Sequence, residues 1–388
     1  MLLRLLRQFL RPYARLIGVV LLFQLVQTLA TLYLPTLNAD IINLGVVKGD
    51  TGYIMRAGGL MLAVTLVQIS GSIVAVYFGA QVAMKVGRDV RAAVFDRVLT
   101  FSAREVGHFG APSLITRTTN DVQQVQLLVL MIATLFISAP ITGVGGIIMA
   151  LRQDVPLSAV LLVSVPVLVG LIALVVMRMR PLFRDMQVRI DEVNRVLREQ
   201  ITGIRVIRAF VREQHEEARF ATANHALADV SLATGQLMAL MFPLVMLVMN
   251  MSSVAVLWFG AQRIDSGGMQ VGALIAFLSY LLQILMAVMM ATFMFVMIPR
   301  AEVCAERIEE ILDTDSSVVP PVAPISALPA RGRLEFRDVT FAYPGAEEGV
   351  LRSVSFEARA GETLGIIGST GSGKTTLLNL APRLIDVT

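Results

Sequence analysis

Nine residues near the end of the chain have the types and spacing that bind phosphate: Gly368 to Thr376 read GSTGSGKTT (the P-loop). They fit the pattern Gly-x-x-x-x-Gly-Lys-Ser/Thr, in which glycines let consecutive backbone N–H groups curve around an anion. Lys374 is predicted to reach the β- and γ-phosphates of a nucleoside triphosphate, and the Thr375 hydroxyl to ligate Mg²⁺. A dinucleotide site of the type Gly-x-Gly-x-x-Gly has a different spacing.

The elements around the P-loop fit this chemistry. Alternating apolar residues predict a pair of strands within Leu334–Phe341 and another strand from Leu351 to Phe356. The run TLGIIG (363–368) predicts a buried central strand, and KTTLLNL (374–380) predicts a helix whose N-terminus faces the phosphates. Lys374 and Thr375 are the predicted catalytic residues. The residues predicted to hold ATP within the loop are Gly368, Ser369, Thr370, Gly371, Ser372, Gly373, Lys374, Thr375 and Thr376.

The rest of the chain is mostly apolar. Only 16% of its residues are charged, where soluble domains have about a quarter. Six stretches contain no Asp, Glu, Lys, Arg or His, and each is long enough to cross a bilayer as a helix, which takes about 20 residues. The predicted spans are Leu16–Ala39, Ala57–Met84, Val122–Leu151, Val155–Met177, Val230–Gln262 and Ser266–Pro299. The sequence therefore predicts a six-helix protein of the cell membrane.

The distribution of cations predicts the orientation of these spans. The loops 85–121 and 178–229 hold six and ten Lys or Arg residues, whereas the alternate loops hold four in all. Because cytoplasmic loops are enriched in Lys and Arg, we expect both loops, the N-terminus and the C-terminal domain to be cytoplasmic. The net charge of +4 then reflects topology, and no nucleic-acid partner is expected. Cys304 and the three histidines show no metal-ligand spacing.

The two long inner loops are predicted to be helical extensions of the spans, with a turn at Gly203 in the second loop. Four prolines between residues 320 and 329 predict an extended linker. The expected organisation is a transmembrane domain at 1–312, a proline-rich linker at 313–330 and the first part of an α/β P-loop ATPase domain at 331–388.

The segment LEFRDVTFAYPG through GIIGSTGSGKTTLLNL resembles the opening of an ABC-transporter nucleotide-binding domain. The six-span part, with FGAPSLITRTTNDV and GIRVIRAFVRE in its inner loops, resembles bacterial half-size ABC exporters of the multidrug and lipid type. The resemblance implies that Tyr343 stacks on adenine. It also implies that Pro112–Asn120 and Arg208–Arg212 are coupling helices, and that the protein works as a dimer with a second half-transporter, identical or different.

The family's signature loop, magnesium-binding acid, catalytic glutamate and switch histidine do not occur in the twelve residues after Thr376. We therefore expect the sequence to be truncated, and the 388 residues alone to bind nucleotide weakly and hydrolyse none.

The predicted spans contain no charge, which argues against an ion-driven carrier. Methionines recur on the last two spans: Met238, Met241, Met249, Met286, Met290, Met294 and Met297. Methionine adapts to varied apolar shapes. Two roles for these residues therefore stay open: they line a cavity for hydrophobic cargo or lipid, or they pack between helices and against lipid. Three functions also stay open: an ATP-driven exporter, an ATP-gated channel or sensor without turnover, and an exporter-fold importer of siderophores.

Overall fold

The computed structural model describes residues 1–319, 323 and 332–387, apart from the side chains of residues 293, 295 and 296. Most of the predicted linker therefore lies outside the described residues. The α-helices and β-strands, in chain order, are α1 Leu2–Leu10, α2 Ala14–Asp40, α3 Thr51–Leu99, α4 Ala103–Phe109, α5 Ala111–Thr116, α6 Val122–Met131, α7 Ser138–Gln153, α8 Ala159–Ala209, α9 Glu213–Asp265, α10 Val271–Asp313, β1 Leu334–Phe341, β2 Leu351–Ala358 and α11 Lys374–Leu380.

Six helical segments of the described chain are long and apolar enough to cross a membrane: Leu2–Val46, Thr51–Leu99, Ala111–Gln153, Ala159–Ala209, Glu213–Asp265 and Val271–Asp313. Each overlaps one of the six charge-free stretches, so the predicted number of spans and the helical membrane fold are confirmed. The protein is a multi-pass protein of the cell membrane.

Helices α8 and α9 continue far beyond their apolar stretches, over 51 and 53 residues. At 1.5 Å per residue each is about 75 Å long. The turn predicted at Gly203 is wrong, because α8 passes through this residue and ends at Ala209. A single glycine lowers the stability of a helix by about 1 kcal/mol relative to alanine, and the packing contacts of a helix as long as α8 outweigh that loss. The chain turns instead at 210–212, where Val211 has a φ of 51°.

The chain forms two compact units. One unit comprises Leu16–Gly79 and Met131–Val296, and its core surrounds Phe277 and Tyr280, which are fully buried. The Tyr280 hydroxyl donates to the Leu32 carbonyl over 2.8 Å, which gives this polar group a partner inside the apolar cluster. The other unit comprises Met1–Arg15, Ala80–Leu130 and Met297–Thr388, and it contains the P-loop.

A π-helical turn at Ile132–Phe136 interrupts the third span just before Pro140. Within this turn Ile137 N donates to Ile132 O, so the Ala133 carbonyl loses its usual partner. The Gln24 amide replaces it, donating to the carbonyls of Ala133 over 3.0 Å and Thr134 over 3.1 Å. One buried glutamine thereby satisfies the Ala133 carbonyl that the irregular turn frees.

Replacing Gln24 with leucine is expected to lower the free energy of unfolding by about 1–3 kcal/mol, because two buried carbonyls lose a donor. The measurement is thermal unfolding in detergent micelles. Gln27 is the matched control: the Oε1 atoms of both glutamines are buried without a hydrogen-bond partner in the described chain, but the Gln27 amide makes none of the backbone contacts that Gln24 makes, so Gln27→Leu should be neutral or stabilising. Equal destabilisation by both variants would contradict the role assigned to Gln24.

Strands β1 and β2 form an antiparallel pair in which Phe336 faces Phe356 and Val339 faces Val354. Residues 334–341 form one strand rather than the predicted pair, since the left-handed φ of 50° at Asp338 produces a bulge instead of a break. The predicted strand at 363–368 is wrong: this segment has no regular structure, and Ile367 is 97% exposed. A central strand needs a paired strand on each side. In the described residues β1 and β2 pair with each other, and neither pairs with residues 363–368.

Candidate nucleotide-binding site

Two glycines give the P-loop its shape. Gly371 and Gly373 both have a φ of +87°, a conformation that residues with a Cβ rarely adopt. A Cβ on Gly373 would also lie 2.9 Å from Leu351 Cδ2 and 3.0 Å from Val350 Cγ1. Gly373 must therefore be glycine for two reasons, and it lets the first turn of α11 lie directly against the start of β2.

The beginning of the loop folds back on its end. Ser372 N donates to Ser369 O over 3.2 Å, and a Cβ on Gly368 would lie 2.5 Å from Ser372 Oγ. The first glycine of the motif thus leaves room for the Ser372 hydroxyl, and it does not have the positive φ of Gly371 and Gly373. Ser369, Thr370, Gly371 and Ser372 are exposed, so their backbone groups are accessible to a ligand.

Lys374 places its ammonium group inside the ring of the loop. Its Nζ donates to the carbonyls of Gly368 over 2.9 Å and Ser369 over 2.7 Å. A compact positive charge held at the mouth of a glycine-rich turn attracts phosphate oxygens. The residues present therefore fit a phosphate chain.

Tyr343, distant in sequence from the P-loop, lies beside it in the structure. Its hydroxyl is 3.0 Å from the Oγ1 atom of Thr376, a residue that is buried. The Tyr343 ring packs edge-on against Phe341 with centroids 4.9 Å apart, and 47% of the residue remains exposed. An exposed aromatic ring next to a phosphate-binding turn fits a flat base.

Thr375 is exposed at the start of α11, and its hydroxyl could supply one oxygen ligand to a metal. No three His, Cys, Asp or Glu side chains of the described chain are grouped so that they could hold a metal. Mg²⁺ is commonly bound by few protein oxygens together with water and substrate phosphates. Thr375 therefore fits a magnesium ion that arrives with the nucleotide.

An apolar cluster beneath α11 supports the loop. Leu377 and Leu380 pack with Phe336, Phe341 and Leu351, and the rings of Phe336 and Phe356 stack 4.5 Å apart. The alternation along the strands and the leucine spacing of the helix predict this cluster. It fixes the direction in which α11 points at the loop.

Sequence patterns do not predict the contacts between the first inner loop (85–121) and the residues that follow α10. Ala103 N donates to Leu384 O over 3.0 Å, and Ser102 Oγ lies 2.9 Å from Ser317 Oγ. Ser102 also caps α4 together with Glu105. Burial raises the pKa of Glu105, but hydrogen bonds from Ser102 and Ser317 outweigh that effect and leave the pKa below its usual value. The signal available in the sequence was the capping box Ser-x-x-Glu.

Two ion pairs attach the segment after α5 to the end of α10. Asp121, whose side chain is 2% exposed, lies 3.1 Å from Arg307, and Arg117 lies 2.5 Å from Glu310. Arg117 also donates to the Arg307 carbonyl over 2.9 Å. The first segment predicted to be a coupling helix, Pro112–Asn120, is thus connected to the helix that precedes the C-terminal module. The second, Arg208–Arg212, forms the turn between α8 and α9.

Two protein families match the chain: the ABC transporter transmembrane region over residues 17–288 and the ABC transporter family over residues 351–387. An uncharacterized ABC transporter ATP-binding protein of Mycobacterium tuberculosis is 53% identical over all of this chain and 67% of the relative. A multidrug efflux ATP-binding/permease protein of the same species is 33% identical over 80% of this chain and 26% of the relative. An ATP-dependent lipid A-core flippase of Chromobacterium violaceum is 28% identical over 96% and 65%.

The membrane-spanning family match covers well over half of the chain, and the second match contains the entire P-loop. Members of this family generally bind and hydrolyse ATP. The six spans, the glycine-rich loop and the extent of both matches lead to one conclusion: this chain belongs to the ABC transporters.

Proposed function

We propose that this chain is one half of a dimeric, ATP-driven exporter of hydrophobic small molecules or lipids. The observation that carries the proposal is the Lys374 ammonium inside a glycine-rich loop on the same chain as six membrane-length helices. The printed functions of two relatives, multidrug efflux and lipid A-core flipping, support the direction and the class of cargo. The cation-rich inner loops favour a cytoplasmic location for the N-terminus and the P-loop.

The roles of the site residues follow from their positions. The backbone of Gly368–Gly373 would hold phosphate oxygens, and Lys374, now on the loop carbonyls, would supply positive charge to the β- and γ-phosphates. The Thr375 hydroxyl would be a ligand for Mg²⁺, and the Thr376 hydroxyl orients Tyr343 for contact with the base. Bound ATP supplies a γ-phosphoryl group whose transfer to water drives the cycle. Lys374 and Thr375 hold the phosphate chain and its metal in position for that reaction.

The proposed domains are the transmembrane part at 1–312, the linker at 313–330 and the nucleotide-binding part at 331–388. Residues 1–388 measured alone should bind nucleotide without hydrolysing it. Both oxygens of Asp386, an acid that follows the P-loop, accept hydrogen bonds from Arg383, and this pairing lowers the pKa of the carboxyl group. Among the methionines, Met286 is 40% exposed and Met238 57% exposed, which leaves both accessible to cargo.

The test is transport of a fluorescent hydrophobic cation in inside-out membrane vesicles from cells that express the full-length transporter. An exporter should accumulate the dye in the vesicles when ATP and Mg²⁺ are added outside, and a non-hydrolysable ATP analogue should not support accumulation. ATP-dependent loss of preloaded dye would favour import. Equal fluxes with ATP and the analogue would favour a gated channel, and either result would overturn the proposal.

A further inference from the structure

A cavity of about 950 Å³ lies between α8 and α9, near the ends that the proposed topology places outside the cell. It extends from Pro156 to Leu171 on the α8 side and from Leu247 to Ser266 along α9. Its lining is mostly aliphatic and aromatic, so its interior suits an apolar molecule. None of the methionines named as possible cargo contacts lines it, so it is a separate site.

Two serines interrupt the apolar lining. Ser164 and Ser252 are 6% and 7% exposed, and neither hydroxyl hydrogen-bonds to another part of the chain that the structure describes. The neighbouring Ser253 differs, because its hydroxyl donates to Met249 O over 2.8 Å and it does not line the cavity. Neither hydroxyl oxygen is among the fully buried side-chain atoms of the described chain that lack a partner, so both open into the cavity that they line. An occupant that carries an oxygen at the depth of the two serines can therefore hydrogen-bond to them.

The rim of the cavity offers hydrogen-bond donors. Arg263 contacts Asp154 Oδ2 through Nε over 3.2 Å and Nη2 over 2.9 Å, and the other Asp154 oxygen accepts from Leu157 N. These contacts occupy the carboxylate, whereas a guanidinium has five N–H groups and Arg263 retains several of them. Its side chain is 37% exposed. The rim is therefore complementary to an anionic, acceptor-rich head group.

The helix rise sets the distance between the head-group position and Ser252. Ser252 precedes Arg263 by eleven residues of α9, or about 16 Å along the helix. We propose that this cavity binds an anionic amphiphile whose apolar chain carries an oxygen about 14–16 Å from the head group. No P-loop residue lines the cavity, so binding is measured without nucleotide and independently of the proposed transport cycle.

The probes are tritiated 12-hydroxystearate, whose hydroxyl lies about 14 Å from the carboxylate in an extended chain, and tritiated stearate. Binding is measured to the protein in nanodiscs, with empty nanodiscs subtracted. The double variant Ser164→Ala/Ser252→Ala should weaken 12-hydroxystearate binding about tenfold and change stearate binding by less than about twofold. Ser253→Ala should leave both unchanged. Equal affinities of the two probes for the wild-type protein would overturn the proposal and indicate ordinary lipid in the cavity.

A second pair of variants tests the location. Ala255 lines the cavity, whereas its neighbour Val254 is 59% exposed and does not. Ala255→Trp should fill the cavity and abolish preferential 12-hydroxystearate binding, while Val254→Trp should retain it. Wild-type affinity in a folded Ala255→Trp variant would place the binding elsewhere. If instead helices of a second copy fill the cavity, cysteines at 164 and 252 would crosslink between copies, which would also overturn the proposal.

Discussion

Replacing Lys374 with alanine is expected to weaken binding of ATP–Mg²⁺ about 100-fold, equivalent to about 3 kcal/mol. The ammonium already lies within hydrogen-bonding distance of two P-loop carbonyls, so it is positioned where the phosphates of a bound nucleotide would lie. Its loss removes a charge-assisted contact to the β- and γ-phosphates and also releases the carbonyls of Gly368 and Ser369. Fluorescence titration with a labelled ATP measures the change, and ATP-dependent transport should be abolished as well.

Two controls separate the phosphate contact from a collapse of the loop. AMP has neither a β- nor a γ-phosphate, so its weaker binding should be insensitive to Lys374→Ala if the loop keeps its shape. Arg352→Ala removes an equal charge from β2, where the arginine pairs with the exposed Glu348. That variant should bind ATP as the wild type does. An ATP affinity of Lys374→Ala within about threefold of the wild-type value would rule out the role given to this lysine.

The parts of the fold that the sequence predicted correctly depend on short-range patterns. A charge-free stretch of more than twenty residues leaves few alternatives to a spanning helix, and all six predicted stretches coincide with one. The spacing of Gly368, Gly373 and Lys374 predicts a loop followed by a helix, and α11 begins at Lys374. In each of these cases the residues that determine the structure lie next to one another in the chain.

The incorrect predictions have a common physical cause. The conformation of these segments depends on residues that are distant in sequence but near in space. Residues 363–368 have the composition of a buried strand but no strand beside them in the described module. Gly203 has the propensity of a helix breaker but lies within α8, which packs against α9. Local sequence patterns do not predict the position of Tyr343 beside Thr376 either. The resemblance to a family implied only that the Tyr343 ring stacks on adenine.

Local sequence patterns do not predict the buried ion pair between Asp121 and Arg307 either. Asp121 and Arg307 are separated by 186 residues, and each belongs to a segment with several other charges. Nothing in the spacing distinguishes the buried aspartate from an exposed one. Only the packing of α10 against the segment after α5 identifies this pair, and its energetic consequence is large.

Replacing Arg307 with alanine is expected to lower the free energy of unfolding by about 3 kcal/mol, because Asp121 would remain buried and charged without its partner. The estimate lies at the lower end for broken buried pairs, since 38% of the Arg307 side chain is exposed whereas the carboxylate is almost fully enclosed. Thermal unfolding in detergent micelles measures the change. Arg300→Ala is the matched control: it removes the same charge from an exposed position on the same helix and should have little effect.

A second substitution identifies the cause. Asparagine at position 121 keeps the shape of the side chain without its charge, so adding Asp121→Asn to Arg307→Ala should restore most of the lost stability. If the double variant is as unstable as Arg307→Ala, the destabilisation comes from lost packing of the arginine stem rather than from the buried charge. Restored stability with impaired ATP-dependent transport would further indicate that the pair transmits motion between the first inner loop and α10. The Arg117–Glu310 pair would retain only part of that connection.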